Sequence, residues 1–278
     1  MNVTDLLGRK GLSVDRLRSF ALVAEAQGIA RAAPGEPTRQ SQLSRQISEL
    51  EAALEVALFS RLRRRLVLTP AGERLLRVVR ELSRGLTDLR ASNEPVQVDL
   101  GAGDSVLQWL VLPRLGPLAA QARVRVVALS AAEVVAALEE QAIDLGILRA
   151  NEPTRELRRT VIGRVEYAVF SAKRAARAPL AVPTAEPRLQ SALASLGAPG
   201  LACETFPQVA AAVESGQFRG VLPLIARHSL RGSFEIERFP ALDAVANQLV
   251  LAWRPQLDHV RPEAGAFRKQ LVKALRAG

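Results

Sequence analysis

The sequence predicts an α/β protein with an N-terminal winged helix-turn-helix, a long linker helix, and a C-terminal part in which strands and helices alternate. Between Leu12 and Leu76, an amphipathic helix with a polar, basic face precedes an arginine-rich hairpin and a long helix. After Ser92-Asn93-Glu94-Pro95, short apolar segments alternate with helical ones, which implies a mostly parallel sheet with helices on both faces. The length of 278 residues suits two domains, since a domain usually holds about 100–200 residues.

The positive charge of the chain is concentrated near its N-terminus. The formal net charge is +10, and residues 1–92 carry 16 Lys and Arg against 10 Asp and Glu. Residues 93–278 carry 22 against 18, so the N-terminal third is about three times as basic per residue. A basic surface favours polyanions such as nucleic acid or an anionic membrane, although scattered arginines usually form only a solvated face.

Composition disfavours several classes of protein. Cys203 is the only cysteine, which excludes an intrachain disulfide framework and a cysteine-rich metal site. The chain has no run of about 18 apolar residues, and its N-terminus lacks the charged-then-apolar pattern of a signal peptide. The hydrophobic content of 48% permits a real core. Together these features predict a cytoplasmic globular protein with no membrane partner.

Three helices are predicted first. A helix from about Val14 to Gln27 places its apolar residues at spacings of three and four, and Gly28 ends it. A short second helix stops at Pro34-Gly35-Glu36-Pro37, because two prolines and a glycine in four residues force a turn. Thr38 is the predicted N-cap of a third helix that runs through about Glu55. The apolar face of this third helix consists of Leu43, Ile47, Leu50 and Leu54.

A short β-ribbon with a basic tip is predicted from Arg61 to Thr69. The next helix starts at Pro70, since proline is favoured at the first helical position, and runs to about Ala91. Its apolar residues repeat at heptad spacing. They are Leu75, Val79, Leu82, Leu86 and Leu89, and Leu68 lies one heptad earlier, before the helix starts. Such a seam favours a partner helix, so we expect dimerisation, although so short a seam can also pack on its own domain.

The remaining chain is predicted to form two α/β units, the smaller from residue 171 to residue 232. The predicted strands are Val96 to Leu100, Val124 to Ala128, Asp144 to Leu148, Val165 to Phe170, Phe234 to Phe239 and Gln248 to Trp253. The predicted helices include one that opens after Gly101-Ala102-Gly103 and ends near Ala122, one from Ala131 to Gln141, and a last one from Glu263 to Leu275.

The third helix carries the side chains that major-groove recognition needs. On its first two turns these are Arg39, Ser41, Gln42, Arg45 and Gln46. Arginine can bond guanine through two hydrogen bonds, glutamine can bond adenine, and the N–H groups at a helix start favour a phosphate. The plainer alternative is a solvent-exposed helix face. The four arginines within residues 61–65 favour DNA, because a dense arginine wing grips phosphates or the minor groove.

Several short segments share the spacing of a known family. They are Leu17-Arg18-Ser19-Phe20, Gly28 with Arg31-Ala32-Ala33, Leu43-Ser44-Arg45-Gln46-Ile47, Leu50-Glu51, Leu58-Phe59-Ser60-Arg61 and Leu68-Thr69-Pro70-Ala71-Gly72. Together they resemble the N-terminal domain of LysR-type transcriptional regulators over about 60 residues without gaps. Further along, Asp144-Leu145-Gly146-Ile147 and the stretch from Gly216 to Pro223 resemble the family's co-inducer domain.

The resemblance implies a sequence-specific DNA-binding regulator that is a homodimer or a dimer of dimers. Residues 1–69 would be the DNA-binding domain, residues 70–94 the linker and dimerisation helix, and residues 95–278 an effector-binding domain like the periplasmic binding proteins. Its subdomain I would hold residues 95–170 and 233–278, and subdomain II residues 171–232. A small-molecule effector would bind between them and change the DNA complex. Contact with RNA polymerase is a further expectation.

On this sequence, the resemblance assigns residues to the DNA. The major-groove set would be Arg39, Ser41, Gln42, Ser44 and Arg45, and the wing would be Arg63, Arg64 and Arg65. The family has a longer second helix, whereas Pro34-Gly35-Glu36-Pro37 shortens it here. We expect DNA binding to survive this departure, because the third helix and the wing are intact.

Three residues are candidate effector contacts. Ser105 lies at a helix start that can bind a carboxylate, and Arg149 follows a strand end, where crevices open in such folds. Thr205 lies where the family often places a contact from the second subdomain. Ser105 and Thr205 have helix capping as their alternative role, and Arg149 a surface charge. Trp109 is expected in the core, and the residues of subdomain II favour an apolar or aromatic effector, or none.

Other functional classes find less support in the sequence. Neither His228 nor His259 has a nearby histidine, cysteine or paired acid at ligand spacing, and the chain lacks a nucleophile elbow, a P-loop and a full Gly-x-Gly-x-x-Gly after a strand. We therefore expect no enzyme, no metal and no cofactor. A secreted substrate-binding protein would lack the DNA-binding head. A non-specific or architectural DNA-binding protein with a degenerate, ligand-free effector domain is the main alternative.

Overall fold

A computed structural model of the chain describes residues 8, 10–62, 65–90, 94–154, 156–173, 175, 177–184, 186 and 189–276. The chain divides into two compact units, Met1–Arg90 and Ala91–Gly278. The long helix belongs to the first unit. Two of the predicted wing residues, Arg63 and Arg64, lie outside the described residues.

The first unit confirms the predicted winged helix-turn-helix and long helix. Its elements are α1 (Val14–Glu25), α2 (Ile29–Ala32), α3 (Pro37–Leu54), β1 (Phe59–Leu62), β2 (Arg65–Leu68) and α4 (Pro70–Arg90). The buried side chains of its core are Phe20, Val23, Leu43, Ile47, Leu50, Leu58 and Leu76. Burying each of these large apolar side chains contributes roughly 1.5–3 kcal/mol, and this burial holds the short helices together.

Helix α3 begins one residue before the predicted cap. Pro37 is its first residue, and Glu36, not Thr38, is the N-cap, with no side-chain hydrogen bond to the helix start. Proline suits this first position because its ring presets φ and its missing N–H has no helical partner there. Gly35 has a φ of 74°, a left-handed conformation that favours glycine, so the turn before α3 is sharp. The helix ends at Leu54, one residue earlier than predicted.

The junction between α3, the ribbon and α4 is fixed by polar groups. The Oε1 atom of Glu51 accepts hydrogen bonds from the backbone N–H groups of Leu58, at 2.7 Å, and Phe59, at 3.1 Å. Thr69 caps α4 by accepting a hydrogen bond from the N–H of Gly72 at 3.0 Å. A Cβ at Gly72 would lie 2.1 Å from the carbonyl oxygen of Leu58, so only glycine fits this crossing.

The second unit alternates strands and helices, as predicted. In chain order it contains β3 (Val96–Ala102), α5 (Asp104–Val106), a π-helical turn (Leu107–Val111), α6 (Leu112–Leu115), β4 (Ala122–Ala128), α7 (Ala131–Glu139), β5 (Leu145–Arg149), β6 (Arg158–Val165), β7 (Tyr167–Ala172), β8 (Leu180–Pro183), α8 (Gln190–Ala194), β9 (Leu201–Cys203), α9 (Phe206–Glu214), β10 (Arg219–Pro223), β11 (Phe234–Glu237), α10 (Pro240–Asp243), β12 (Asn247–Trp253), α11 (Leu257–Val260) and α12 (Pro262–Arg276). Short 3-10 turns cover Gly116–Leu118 and Leu224–His228.

These strands form two five-stranded sheets of mixed direction. Sheet I has the order β4-β3-β5-β12-β6, and sheet II has the order β11-β7-β10-β8-β9. In each sheet three neighbouring strands run parallel, and the pairings of the remaining two strands are antiparallel. The prediction of a mostly parallel sheet therefore describes only about half of the pairings. Sequence shows where strands lie, but their direction depends on which strand each one pairs with.

The crossings between the two sheets lie a few residues from the predicted boundaries. Strands β7 and β11 belong to sheet II, whereas the predicted boundaries place residues 167–170 and 233–237 in subdomain I. The chain leaves sheet I at Glu166 and returns to it between Glu237 and Asn247. The predicted strand from Val165 to Phe170 in fact joins the end of β6 to β7. Strand β6 was not predicted, because four of its eight residues are glycine or arginine.

A buried ion network surrounds Asp144, the residue directly before β5. The Oδ1 atom of Asp144 lies 2.8 Å from Arg261 and 3.8 Å from Arg254, and all three residues are buried. The Oδ2 atom of Asp144 accepts a hydrogen bond from the backbone N–H of Asp99 at 3.0 Å. Arg261 also donates to the carbonyl oxygen of Gln97 at 2.6 Å. The network joins β3, the start of β5, and the chain after β12 and α11, so it ties distant segments together.

Membrane spans and metal clusters are both absent from the described part of the chain. No helix in it is both long and apolar enough to cross a lipid bilayer. The same residues contain no group of three or more His, Cys, Asp or Glu side chains arranged to hold a metal ion.

Candidate nucleic-acid interface and ligand cleft

The outer face of α3 gathers most of the predicted DNA contacts. Leu43, Ile47 and Leu50 are buried, so the residues between them point away from the core. The exposed predicted contacts are Arg39, Ser41, Gln42, Ser44 and Arg45. They form a continuous polar face over the first half of the helix, as its 3.6-residue period requires.

Gln46 differs from the other predicted contacts. It is half-buried, and its Oε1 atom accepts a hydrogen bond from the hydroxyl of Ser19 on α1 at 2.6 Å. This bond links α3 to α1 and limits how far the Gln46 side chain can turn outward. The contact of Gln46 with a base therefore stays a prediction. In the structure this side chain links α3 to α1.

Arg45 is the most outward arginine of this face, with 75% of its side chain exposed. Its Nε atom lies 3.8 Å from the Oε1 atom of Glu49, one turn further along α3. The other oxygen of Glu49 accepts a hydrogen bond from the Nε atom of Arg16 on α1 at 2.8 Å. That hydrogen bond is the largest cause of a lowered Glu49 pKa, which desolvation opposes and the charges of Arg16 and Arg45 reinforce.

The start of α3 forms a shallow open concavity. It is lined by Glu36, Pro37, Thr38, Arg39 and Gln42. Since no described side chain caps this helix start, its first N–H groups point outward and suit an anion such as phosphate. Arg39 lies 3.7 Å from Glu36, and both side chains are about half exposed.

The ribbon of β1 and β2 packs, through Phe59 and Leu66, against the apolar cluster that contains the buried face of α3. The two strands are antiparallel, with Leu62 opposite Arg65 as the last described pair before the tip. Arg61 and Arg65 are exposed, and Leu62 is 63% exposed. We call the outer face of α3, residues 36–49, together with the described ribbon residues 60–62 and 65, the recognition surface.

A cleft opens between the two sheets of the second unit. Its cavity volume is about 240 Å³, below the roughly 300–1,000 Å³ of most small-molecule sites, and it is open to solvent on one side. Residues 103–105, 128–130 and 133 line it from the side of sheet I, and residues 183, 186 and 204–206 from the side of sheet II. Helices α7 and α9 both begin at this cleft, each with a capping box, at Ser130 and at Thr205.

Two of the three predicted effector contacts line the cleft. Ser105 does so from the first turn of α5, and Thr205 from the N-cap of α9. The hydroxyl of Thr205 accepts a hydrogen bond from the N–H of Gln208 at 3.4 Å, so its capping role is real. Trp109 is buried in the core, as expected.

Arg149, the third predicted contact, is engaged elsewhere. Its Nη2 atom donates to the hydroxyl of Tyr167 at 3.0 Å and to Glu186 at 2.7 Å. Burial lowers the pKa of Arg149, but Tyr167 and Glu186 outweigh this and raise it above its ordinary value. Arg149 lies at the end of β5 in sheet I, whereas Tyr167 and Glu186 belong to the side of sheet II. It bridges the two subdomains instead of lining the cleft.

Four carboxylates of the cleft were missed by sequence reasoning. They are Asp104, Glu133, Glu186 and Glu204. Among the described lining residues there is no lysine, arginine or histidine. The capping boxes at Ser130 with Glu133 and at Thr205 with Gln208 were the available signal, because they mark helix starts in an α/β fold, which lie near such crevices. A ligand carboxylate fits this lining poorly, whereas the expectation of an apolar or aromatic effector, or none, stays a prediction, because Leu129, Pro183 and Phe206 also line the cleft.

The long helix α4 leaves an apolar stripe exposed on the described chain. Val78 is 60% exposed, Leu82 44%, Leu86 53% and Leu89 75%. The predicted seam residues Leu75 and Val79 are only partly exposed, and Leu75 packs against the core of the first unit. The exposed stripe therefore starts at Val78, which the predicted seam did not include, and extends to Leu89.

Two family models match this chain in succession. The model described as "Bacterial regulatory helix-turn-helix protein, lysR family" matches residues 14–73. The model described as "LysR substrate binding domain" matches residues 94–276. The first match spans α1 to the start of α4, and the second spans both sheets and the cleft.

Characterised relatives share part of the chain. "HTH-type transcriptional regulator DgdR" of Burkholderia cepacia is 33% identical over 155 residues, which are 51% of this chain and 53% of that protein. "Probable hydrogen peroxide-inducible genes activator" of Mycobacterium xenopi is 35% identical over 141 residues, 48% of this chain and 75% of that protein. The chain thus aligns with about half the length of the first of these relatives.

Solved structures share the fold over nearly the whole chain. Full-length LysG from Corynebacterium glutamicum with bound effector Arg has a TM-score of 0.65 at 16% identity, covering 96% of this chain and 99% of that one. A full-length OxyR variant from Pseudomonas aeruginosa has a TM-score of 0.64 at 19% identity, covering 95% of each chain. At such identities these likenesses concern the fold alone.

Proposed function

Because the chain belongs to the LysR family of bacterial regulatory helix-turn-helix proteins, we propose that it is a sequence-specific DNA-binding transcriptional regulator, located in the cytoplasm. The observation that carries the proposal is the recognition surface. There, exposed arginine, glutamine and serine side chains follow an uncapped helix start, beside a basic ribbon. The second unit tunes the activity by binding a small molecule, and we propose no metal or other cofactor.

In this proposal α3 enters the major groove. Arg45 reads guanine and Gln42 reads adenine, since these pairings each use two hydrogen bonds to one base edge. The start of α3 contacts a phosphate, and Arg39 supports this contact. The wing arginines Arg63, Arg64 and Arg65 add affinity without base preference, because phosphate contacts carry no sequence information.

We propose that the chain dimerises through α4. The exposed stripe of Val78, Leu82, Leu86 and Leu89 is apolar over about three turns, and a second copy would cover it in a two-fold pair. A dimer presents two α3 helices to two half-sites, so the operator would be two-fold symmetric. A dimer of dimers and contact with RNA polymerase belong to the same proposal.

We propose that the effector carries a positive charge. A cleft lined by four carboxylates and no described basic residue repels anions and attracts cations. Two of the four are already engaged, since Glu133 accepts from Ser130 in its capping box and Glu186 pairs with Arg149. Asp104 and Glu204 are the exposed pair that a cationic ligand would meet first.

Peroxide sensing is disfavoured, although two relatives are named as probable hydrogen peroxide-inducible genes activators. A peroxide sensor that uses cysteine needs an accessible thiolate and commonly a resolving thiol. Cys203 is the only cysteine, it is buried, and burial raises the pKa of its thiol. These properties keep it protonated and unreactive near neutral pH.

The first experiment selects bound DNA from a random duplex pool with the wild type, with Arg45→Ala, and with Arg63, Arg64 and Arg65 all changed to Ala. We expect a two-fold symmetric motif, relaxed at one base pair per half-site in Arg45→Ala. The wing variant should keep the motif, bind more weakly, and show a shallower salt dependence. Arg123→Ala, which removes an exposed arginine of the second unit, is the matched control and should change neither.

The outcomes separate the two kinds of DNA-binding protein. A motif that Arg45→Ala relaxes supports a sequence-specific regulator. If no motif emerges and binding depends only on salt, the architectural alternative replaces it.

The effector proposal is tested by thermal unfolding of the full chain with arginine, citrulline or benzoate added. Arginine and citrulline have nearly the same size, but only arginine has a charged side chain. We expect arginine to raise the midpoint more than citrulline or benzoate, since a ligand at 100 times its Kd stabilises by about 2.7 kcal/mol. Asp104→Asn with Glu204→Gln should abolish the difference. Stabilisation by benzoate, or equal effects of arginine and citrulline, would overturn the cationic assignment.

A further inference from the structure

A carboxylate on the recognition surface is held from outside its own helix. Glu49 lies on α3, but its Oε2 atom accepts hydrogen bonds from both the Nε and Nη2 atoms of Arg16 on α1, the first at 2.8 Å. Arg16 is itself fixed at the start of α1. Its backbone N–H and its Nη1 atom both donate to the hydroxyl of Ser13 at 3.3 Å. Two N–H groups of one guanidinium therefore hold the Oε2 atom of the Glu49 carboxylate.

The remaining oxygen of Glu49 faces the arginine that the proposed function assigns to a base. Its Oε1 atom lies 3.8 Å from the Nε atom of Arg45, whose side chain is 75% exposed. A free arginine side chain populates many rotamers and loses this freedom on binding. An ion pair with an anchored carboxylate restricts those rotamers before DNA arrives.

The nitrogen that Glu49 approaches decides what Arg45 can still do. Since Nε is the nitrogen that the carboxylate approaches, at 3.8 Å, the two terminal Nη groups stay available to another acceptor. An end-on guanidinium can then donate two parallel hydrogen bonds to the O6 and N7 atoms of guanine. A carboxylate that engaged the Nη groups would instead compete with the base.

A second arginine on the same helix lacks such an anchor. Arg39 pairs with Glu36 at 3.7 Å, but the Glu36 side chain is 56% exposed and is the N-cap residue of α3. No described hydrogen bond holds the Glu36 carboxylate from a neighbouring helix. The two pairs have similar distances and differ mainly in whether the carboxylate is fixed.

We propose that Glu49, held by Arg16, is a positioning residue that presents Arg45 to one base pair of each half-site. This inference rests on the proposed function, since it presupposes that Arg45 reads a base. Glu49 does not touch the DNA in this account. The negative charge of Glu49 lowers the affinity for any DNA, because it repels phosphates. The same residue raises the discrimination at one base pair.

The experiment is a double-mutant cycle between Glu49→Gln and Arg45→Ala, read as discrimination at each base pair of the selected motif. A bidentate arginine–guanine pair gives on the order of 5- to 150-fold discrimination. We expect Glu49→Gln to lower discrimination by about 3- to 10-fold at the base pair that Arg45→Ala relaxes, and nowhere else. In the Arg45→Ala background it should have no further effect at that position. Affinity for random DNA should rise, because a negative charge is lost.

Glu36→Gln is the matched control, because it also removes a carboxylate beside an arginine of α3. It should raise affinity for random DNA in the same way and leave discrimination at the base pair assigned to Arg45 unchanged. Arg16→Gln tests the anchor with the Glu49 charge retained, and it should reproduce the selective loss. Far-UV circular dichroism and the thermal midpoint verify that each variant folds.

The outcomes distinguish this inference from the function on which it rests. If the wild type selects no motif, both are overturned. If a motif appears but discrimination is unchanged in both Glu49→Gln and Arg16→Gln, only the positioning role is overturned. The positioning role is likewise overturned if Glu49→Gln lowers discrimination equally at all base pairs, or lowers it further in the Arg45→Ala background. A residue that only stabilises the contact between α1 and α3 would have those effects.

Discussion

The recognition surface and the cleft are opposite in charge and in construction. The surface is built from neighbouring residues of one helix and one ribbon, and arginines dominate its charge. The cleft is built from short segments that both sheets bring together, and carboxylates dominate its charge. A basic chain can therefore contain an acidic site, because the net charge is the sum over all of its surfaces and does not describe each one.

The two units also differ in what holds them together. The first unit relies on a small apolar core, helix caps and one close glycine crossing. The second unit adds a buried ion network, in which Asp144 pairs with Arg261 and Arg254. Each unit should therefore respond to a different kind of substitution.

Removing the Asp144 charge should have the largest effect. Asp144→Asn removes the carboxylate that lies 2.8 Å from the buried Arg261, and breaking a buried pair in this way costs about 3–5 kcal/mol. The chain has two tryptophans, Trp109 and Trp253, and both lie in the second unit. Tryptophan fluorescence during urea unfolding therefore reports on that unit alone and should show the loss.

Asp243→Asn is the control for this prediction. Asp243 pairs with Arg238 at 3.2 Å, but both side chains are about half exposed. Such a pair contributes at most about 1 kcal/mol, so the control should unfold close to the wild type. Equal effects of the two substitutions would contradict the assignment of the second unit's stability to the buried network.

A methyl group at the crossing of α4 and the ribbon should act on the first unit. In Gly72→Ala, the Cβ would lie 2.1 Å from the carbonyl oxygen of Leu58, so the backbone must move. Overpacking of this kind costs about 1–3 kcal/mol. Far-UV circular dichroism should show earlier unfolding of a part of the helix signal. Tryptophan fluorescence should not change, because the first unit has no tryptophan.

Gly116→Ala is the matched glycine control. A Cβ at Gly116 meets no atom within 4 Å, so this variant should unfold like the wild type by both probes. If Gly72→Ala shifted the unfolding midpoint measured by tryptophan fluorescence, the two units would unfold together. Separate stabilities could then not be assigned to them.

Part of this contrast was predictable from the sequence. The heptad and 3.6-residue spacings on α3 and α4 are local, so they predicted both helices and the exposed face with Arg45 correctly. The capping boxes at Ser130 and Thr205 are also local, but nothing in the sequence says that they meet across a cleft. The pairing of Arg149 with Glu186 was invisible for the same reason, since it depends on how two sheets approach each other.

Breaking the Arg149 bridge should have a smaller effect than breaking the Asp144 network. The side chains of Arg149 and Glu186 are 17% and 25% exposed, so solvent screens the pair and the cost should be about 1–2 kcal/mol in Arg149→Gln. Arg149→Lys keeps the charge but loses the planar guanidinium that reaches both Tyr167 and Glu186. Its free energy of unfolding should lie between those of the wild type and Arg149→Gln. Tryptophan fluorescence during urea unfolding measures both. A loss as large as that of Asp144→Asn would mean that the bridge belongs to the core.

The smallest effect is confined to alkaline pH. Burial raises the pKa of the Cys203 thiol above its ordinary value of 9.0, so the unfolded thiol ionises before the folded one. The stability that this group contributes is therefore fully present below about pH 9 and falls as the pH rises through the folded pKa. Cys203→Ser should remove this alkaline decline. Near neutral pH, the free energy of unfolding should depend on pH in the same way in the variant and in the wild type.

The recognition surface provides the opposite case for the same measurement. The pKa of Glu49 is lowered, chiefly by the hydrogen bond from Arg16, so its contribution is present at neutral pH and is lost as the pH falls through the folded pKa. Glu49→Gln should flatten the acid limb of far-UV unfolding, and Cys203→Ser the alkaline limb of tryptophan fluorescence. If Cys203→Ser altered the acid limb, or left the alkaline limb unchanged, the assignment of Cys203 to the alkaline decline would be wrong.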